Sequence, residues 1–140
     1  MRYLIDTCVI SELAKSESDL MMQRIFAPIN SKNLFISSVT IGEIVNGIFL
    51  LPHTKKRKTL TDWLGKVEAM FDNQILNFDR DAAVIWGELS AHLKLKGLNI
   101  SSSDRQIAAT ALQHGLRVMT RNVKDFEHSG VMVYNPFDNV

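Results

Sequence analysis

Short apolar runs alternate with amphipathic stretches along the whole chain. Residues 2–5 form an apolar strand that stops at Asp6, and Val9, Ile10 and Leu13 then begin a helical pattern. A second helix is predicted from Asp19 to Ala27, ended by Pro28. Leu34-Phe35-Ile36 reads as the second strand. Ser37-Ser38 leads from it into a helix with Ile41, Ile44, Val45 and Ile48 on one face, closed by Pro52. Residues 59–71 place Leu60, Trp63, Leu64 and Val67 on the inner side of another helix, and Ile75-Leu76 is a third strand. Asp79 caps a long helix carrying Ala82, Trp86, Leu89 and Leu93, and Gly97 closes it. Ser103 and Gln106 have capping-box spacing ahead of the stripe Ile107, Ala108, Ala111 and Leu112, and Gly115 is placed to end that helix in a left-handed turn. Leu116, Val118 and Met119 form a strand that leaves through the polar loop Thr120-Arg121-Asn122. Val131, Val133 and Tyr134 form a last strand, ended by Pro136.

Strands separated by helices predict an α/β sandwich with a mostly parallel central sheet flanked by helices. At 140 residues the chain fits one domain, residues 1–140. Its 46% hydrophobic and 22% charged content is that of an ordinary globule. A net charge of +1 excludes a global pull on nucleic acid, so any such binding has to be local. One cysteine rules out an internal disulfide and fits a reducing compartment, the cytoplasm. The N-terminus has no signal-peptide pattern, and no apolar run suits a membrane span, so no membrane association is expected.

The chemistry lies in the acids. Asp6 follows the first strand, where parallel sheets place their ligand sites. Glu43 admits two roles: it completes a capping box with Thr40, or it projects from the first helical turn into the cleft shared with Asp6. Asp104 lies at the top of the inward stripe of its helix, where a bare carboxylate needs a partner, a cation or a metal. Complementing the helix dipole is its ordinary role. Asp125 and Asn122 add polar oxygens after the next strand, or simply cap a loop. In a right-handed parallel sheet these positions share one edge. Four acids without four bases repel, and a hard divalent cation such as Mg²⁺ or Mn²⁺ resolves the repulsion. Thr7 is placed either to cap the first helix or to orient Asp6.

Other polar residues have plainer readings. Cys8 suits a small buried side chain better than a nucleophile, because no base stands beside it in sequence. The histidines at 53, 92, 114 and 128 form no zinc-like set with Cys8. Capping accounts for Asp79 and helix exposure for Asp81. The basic run Lys55-Lys56-Arg57-Lys58 is by default a solvated segment, and its alternative is contact with a phosphate backbone.

Four segments carry a family resemblance: YLIDTCVISEL at 3–13, ISSVTIGEIVNGI at 36–48, SSSDRQIAATAL at 101–112 and VMTRNVKDF at 118–126. In this order and spacing the chain resembles PIN domains, specifically the VapC-type toxins of bacterial toxin–antitoxin pairs. The resemblance implies a PIN-like three-layer sandwich and an Mg²⁺-dependent endoribonuclease acting on transfer or ribosomal RNA, with Mn²⁺ as a substitute. It implies a metal-binding and catalytic set at Asp6, Glu43 and Asp104, with Asp125 as a more variable fourth member. Thr7 and Asn122 match supporting polar positions. Arg105, Arg121 and Lys124 are candidates for RNA phosphate contacts, each with a surface role as the alternative. The family also implies a homodimer and a cognate antitoxin, with operator DNA reached only through the antitoxin.

Three other classes compete. A weakly catalytic or non-catalytic partner in an antitoxin–DNA complex would not need the complete acid set. A phosphotransferring hydrolase of the haloacid dehalogenase type needs a second Asp two residues after the first, where this chain has Cys8. A structure-specific DNA nuclease would carry more acids and extra helical segments. Met21, Met22, Phe26, Phe49, Leu50 and Leu51 exceed what one inward stripe requires. That excess is either a broad buried face or a patch covered by a partner, and the resemblance favours the partner.

Overall fold

The computed structural model describes residues 1–15 and 19–138. Its five strands are β1 (Tyr3–Ile5), β2 (Leu34–Ser37), β3 (Ile75–Leu76), β4 (Arg117–Met119) and β5 (Val133–Tyr134). They lie in the order β3-β2-β1-β4-β5, and every pair is parallel. The helices are α1 (Thr7–Glu12), α2 (Asp19–Phe26), α3 (Ser38–Phe49), α4 (Lys55–Met70), α5 (Arg80–Leu95) and α6 (Ser102–His114). Among the described residues, no helix is long and apolar enough to cross a membrane.

The strands alternate their side chains between two cores, as a sheet covered on both faces requires. Ile5, Ile36 and Met119 join one core with Val9, Ile10, Met22, Ile44 and Leu64 from α1 to α4. Leu4 and Val118 join the other with Leu89, Leu93, Ile107 and Ala108 from α5 and α6. Ala108, Ala109 and Ala111 are fully buried, and side chains this small let α6 approach its neighbours closely. The result is the three-layer sandwich that the alternation and the resemblance imply.

The strand order places the site. From β1 the chain steps outward to β2 and β3, then returns to the other side of β1 for β4 and β5. The crossover direction therefore reverses at β1. Ligands in open parallel sheets bind at such a reversal, beyond the carboxyl ends of the strands. Asp6 follows β1 at that point.

Three helix starts differ from the sequence reading. Helix α3 is capped by Ser37, whose Oγ accepts from Val39 N at 3.0 Å, so Thr40 lies inside the helix and is fully buried. Helix α6 is capped by Ser101, whose Oγ accepts from Asp104 N at 3.2 Å, and Ser103 lies within its first turn. Spacing alone cannot choose among neighbouring serines; the residue with extended backbone at the end of the incoming segment takes the cap. Helix α4 starts at Lys55, earlier than its apolar stripe, so the basic run forms its first turn. The other stops agree: Asp79 caps α5, and Gly97 (φ 70°) and Gly115 (φ 65°) follow α5 and α6 in left-handed conformation.

The six apolar residues in apparent excess divide. Met22 is in the core, and Phe26 packs partly against it. Leu51 is half-buried, while Met21, Phe49 and Leu50 are exposed.

Candidate active site at the carboxyl edge of the sheet

Asp6 is the N-cap of α1, its Oδ1 accepting from Thr7 N at 2.8 Å. It is also more than a cap. Asp6 Oδ2 accepts from Thr120 Oγ1 at 2.8 Å and from Cys8 Sγ at 3.4 Å. Asp6 is only 5% exposed, and burial raises its pKa above the usual carboxylate range despite these donors. Nearby Glu43 adds a smaller push in the same direction.

The sequence reading placed Thr120 in a polar loop and gave it no role, and strand register explains the role it has. Ile5 pairs with Met119, so the next residues, Asp6 and Thr120, emerge side by side. The Asp6 N–H donates to the Met119 carbonyl at 2.8 Å, which ties the two strand ends together. The only sequence signal was a hydroxyl directly after a buried strand.

Glu43 does not cap its own helix. Its Oε1 accepts from Thr7 Oγ1 at 2.7 Å, and Thr7 Oγ1 lies 3.1 Å from Thr40 Oγ1. Thr7 has one hydroxyl proton, and the carboxylate is its stronger acceptor. Thr7 therefore aims Glu43 toward α1 and does not hold Asp6 through its side chain.

Asp104 is half-buried in the first turn of α6. Its pKa is pushed up to about 6, chiefly by burial and then by the charges of Asp6, Asp125 and Glu43. Asp104 thus stands within reach of the charges of the other three predicted acids. Asp125 reaches it from the exposed single-turn helix Val123–Phe126. Asn122 N donates to Thr120 Oγ1 at 2.9 Å, so its backbone steadies the residue that holds Asp6.

Among the described residues, none of the four acids carries an ion pair. Among the described residues, no three His, Cys, Asp or Glu side chains stand in an arrangement already able to hold a metal ion. Hydrogen bonds draw Asp6 toward Thr120 and Glu43 toward Thr7, and mutual repulsion opposes closer approach. In charge and donor chemistry the set fits a hard divalent cation: carboxylate oxygens, excess negative potential and no competing base.

Cys8 is half-buried, not the fully buried small side chain that the sequence suggested. Burial and then the Asp6 charge raise its thiol pKa, which keeps it protonated and unreactive. Asp79 caps Ala82 N at 2.9 Å and accepts from Gln113 near the far end of α6, away from Asp104. Asp81 is exposed and pairs with Arg80.

The phosphate-contact candidates separate. Arg105 lies over the Trp86 ring at 5.3 Å. Arg121 stacks on Phe137 at 4.1 Å, and its Nη1 donates to Glu12 Oε1 at 3.1 Å. Lys124 is exposed. Glu12 is a second residue that sequence reasoning passed over. It is largely buried and accepts from Lys15 at 3.0 Å, and the hydrogen bonds from Lys15 and Arg121 help hold its pKa below the usual range. An acid among Val9, Ile10 and Leu13 was a signal that some cation must come to meet it.

The PIN domain family model matches residues 3–130. VapC ribonuclease Y4jK of Sinorhizobium fredii is 35% identical over 136 residues, covering 96% of this chain and 97% of the relative. Toxin FitB of Neisseria gonorrhoeae is 34% identical over 138 residues, with 96% and 97% covered. The crystal structure of FitAcB from Neisseria gonorrhoeae superposes with a TM-score of 0.88 at 32% identity, covering 97% of this chain and 99% of that one. Acids gathered where the crossover direction reverses, and near full-length similarity to these proteins, lead to one assignment: the chain belongs to the PIN-domain family.

Proposed function

We infer that this protein is a divalent-metal-dependent endoribonuclease, working as one domain and as the toxin of a toxin–antitoxin pair. The observation that carries the reading is the Asp104 carboxyl, raised to about 6 beside Asp6, Glu43 and Asp125. Acids perturbed by burial and by one another's charge, with no cation paired to them, are candidates for a reaction centre. The names of the relatives, a VapC ribonuclease and a toxin, support the same direction.

Asp6, Glu43, Asp104 and Asp125 are the residues that would hold Mg²⁺ or Mn²⁺. Such an ion polarises a phosphate oxygen and lowers the pKa of a bound water. The chain's own groups supply the positioning. Thr120 and Cys8 fix Asp6 Oδ2, Thr7 fixes Glu43, and Ser101 anchors the turn that presents Asp104. Arg121, held by Glu12 and Phe137, and Lys124 and Arg105 supply cations for the RNA backbone. The RNA class is transfer or ribosomal RNA.

A cognate antitoxin neutralises the site by bringing a basic group to the acids, which compensates their charge and excludes the metal. The exposed Met21, Phe49 and Leu50 support coverage of apolar surface by a homodimer partner or by the antitoxin. Operator DNA is bound only through that antitoxin.

The test is Asp104→Asn, assayed on total RNA with Mg²⁺ and with chelator. Cleavage should require metal and fall at least about a hundredfold in the variant, since disturbing even the outer partners of a metal site costs 10–100-fold. Metal-independent cleavage, or an unaffected variant, would overturn the reading. Growth arrest by Glu43→Gln equal to that of the parent would favour the antitoxin–DNA scaffold instead.

A further inference from the structure

The first turn of α4 is electrostatically at odds with its own helix. Lys55, Lys56, Arg57 and Lys58 occupy the positive end of the macrodipole. No acid offsets them in that turn, and Thr54 makes no side-chain cap bond. Folding gains nothing from this arrangement, because acids or a capping side chain would stabilise the same turn. The chain as a whole carries a net charge of only +1, so this is a local concentration of charge.

The four cations are not equivalent. Arg57 is engaged, with its guanidinium over Phe49 at 4.5 Å and its Nη1 near the His53 ring. Lys55, Lys56 and Lys58 are exposed, and none has an ion pair among the described residues. Lys56 also stands in the wall of a cleft of about 340 Å³. Thr7 and Glu43 line the same cleft with Ile44, Gly47 and Ile48 of α3 and Leu60 and Trp63 of α4, so its walls are largely apolar, and of the three exposed lysines Lys56 alone is in its wall. The cleft therefore touches Glu43 of the acid set and Lys56 of the basic turn.

We propose that the basic first turn of α4 is an RNA-docking exosite, which grips the phosphate backbone of a substrate strand leaving the acid edge along the Thr7–Glu43–Lys56 cleft. This rests on the ribonuclease reading above. It adds where the strand runs beyond the scissile bond and which residues set the preference for long substrates. A strand with a phosphate at every nucleotide matches a row of lysines, and its contacts are sequence-independent. Lys55 and Lys58 act on affinity and take no part in the chemistry.

The experiment compares the full chain with Lys55→Gln/Lys58→Gln and Lys55→Glu/Lys58→Glu. Binding of a long labelled single-stranded RNA is followed by anisotropy against salt, in an Asp104→Asn background that prevents cleavage. Each lost phosphate contact on a single strand removes about 0.7 from the log–log salt slope, so the Gln pair should lose about 1.4. The Glu pair should weaken binding further while melting at the same or a higher temperature, because acids suit a helix start. A purely structural role for the lysines predicts the opposite change in melting. In the cleaving chain, the Gln pair should raise KM for the long RNA and leave turnover of a tetranucleotide unchanged. An unchanged salt slope would overturn the exosite, as would parental binding that does not respond to salt. Equal loss of poly-glutamate binding would assign the surface to an acidic peptide and also overturn it. If the parent cleaves neither RNA, the ribonuclease reading fails, and the binding arm still decides whether this surface docks RNA.

Discussion

The two ends of the same strands form opposite environments. At the amino edge, a cavity of about 470 Å³ is lined by Met1, Arg2, Gly115, Arg117 and Met132. Of its two arginines, Arg2 is engaged: its Nη2 donates to the His114 carbonyl at 2.9 Å and so satisfies the end of α6. At the carboxyl edge, Asp6, Glu43 and Asp125 press their charge on Asp104, and none of the four has an ion pair among the described residues. The amino-edge cavity therefore presents cations, Arg2 and Arg117, whereas the carboxyl edge gathers acids. Unresolved charge of one sign, more than volume, marks where a cation and its substrate belong.

Thr120→Val tests that contrast most severely. It removes the short donor to Asp6 Oδ2 and leaves a buried carboxylate oxygen under-satisfied, at a cost of about 1–3 kcal/mol in stability. Cleavage should fall about 10–100-fold, the scale for outer partners of a metal site, and Thr120→Ser should restore most of it. Parental cleavage by the valine variant would mean that Asp6 needs no such support.

The second test is the dependence of stability on pH. The Asp104 pKa is raised from 3.8 to about 6 on folding. The folded state then holds the proton more tightly than the unfolded state, so this group's contribution falls as pH rises between about 4 and 6 and is flat above. For a half-exposed carboxyl, screening reduces the loss to the order of 1 kcal/mol. Asp104→Asn should remove the step, as should saturating Mg²⁺, which replaces the proton as the neutralising charge. Denaturant titrations across this range that show no difference between parent and variant would count against the strained cluster.

The smallest effect is expected at the other edge. Arg2→Ala loses one exposed hydrogen bond to a helix end, and surface changes of this kind stay within about 0.5 kcal/mol. RNA cleavage should be unaltered. A large loss of activity from this variant would erase the distinction between the two edges.

The class of fold and the four acids were legible in the chain itself, for local reasons. Apolar runs of strand length, inward stripes of helical period and stops at Pro52, Gly97 and Gly115 each depend on nearby residues only. Asp6 stood out because an acid interrupts an apolar strand, and Asp104 because it tops an apolar helix face. The partners of these acids depended on tertiary structure. Thr120 reaches Asp6 only because β4 returns to lie beside β1, and Thr7 reaches Glu43 only because α1 packs on α3. Glu12 finds Arg121 across a separation of 109 positions. Choosing Ser37 over Thr40 and Ser101 over Ser103 as caps likewise required knowing where extended backbone gives way to helix. Pattern along a chain reports which side of an element is buried. Which polar groups meet on the far side of the fold is decided by strand order and register, and those are settled only when the whole sheet assembles.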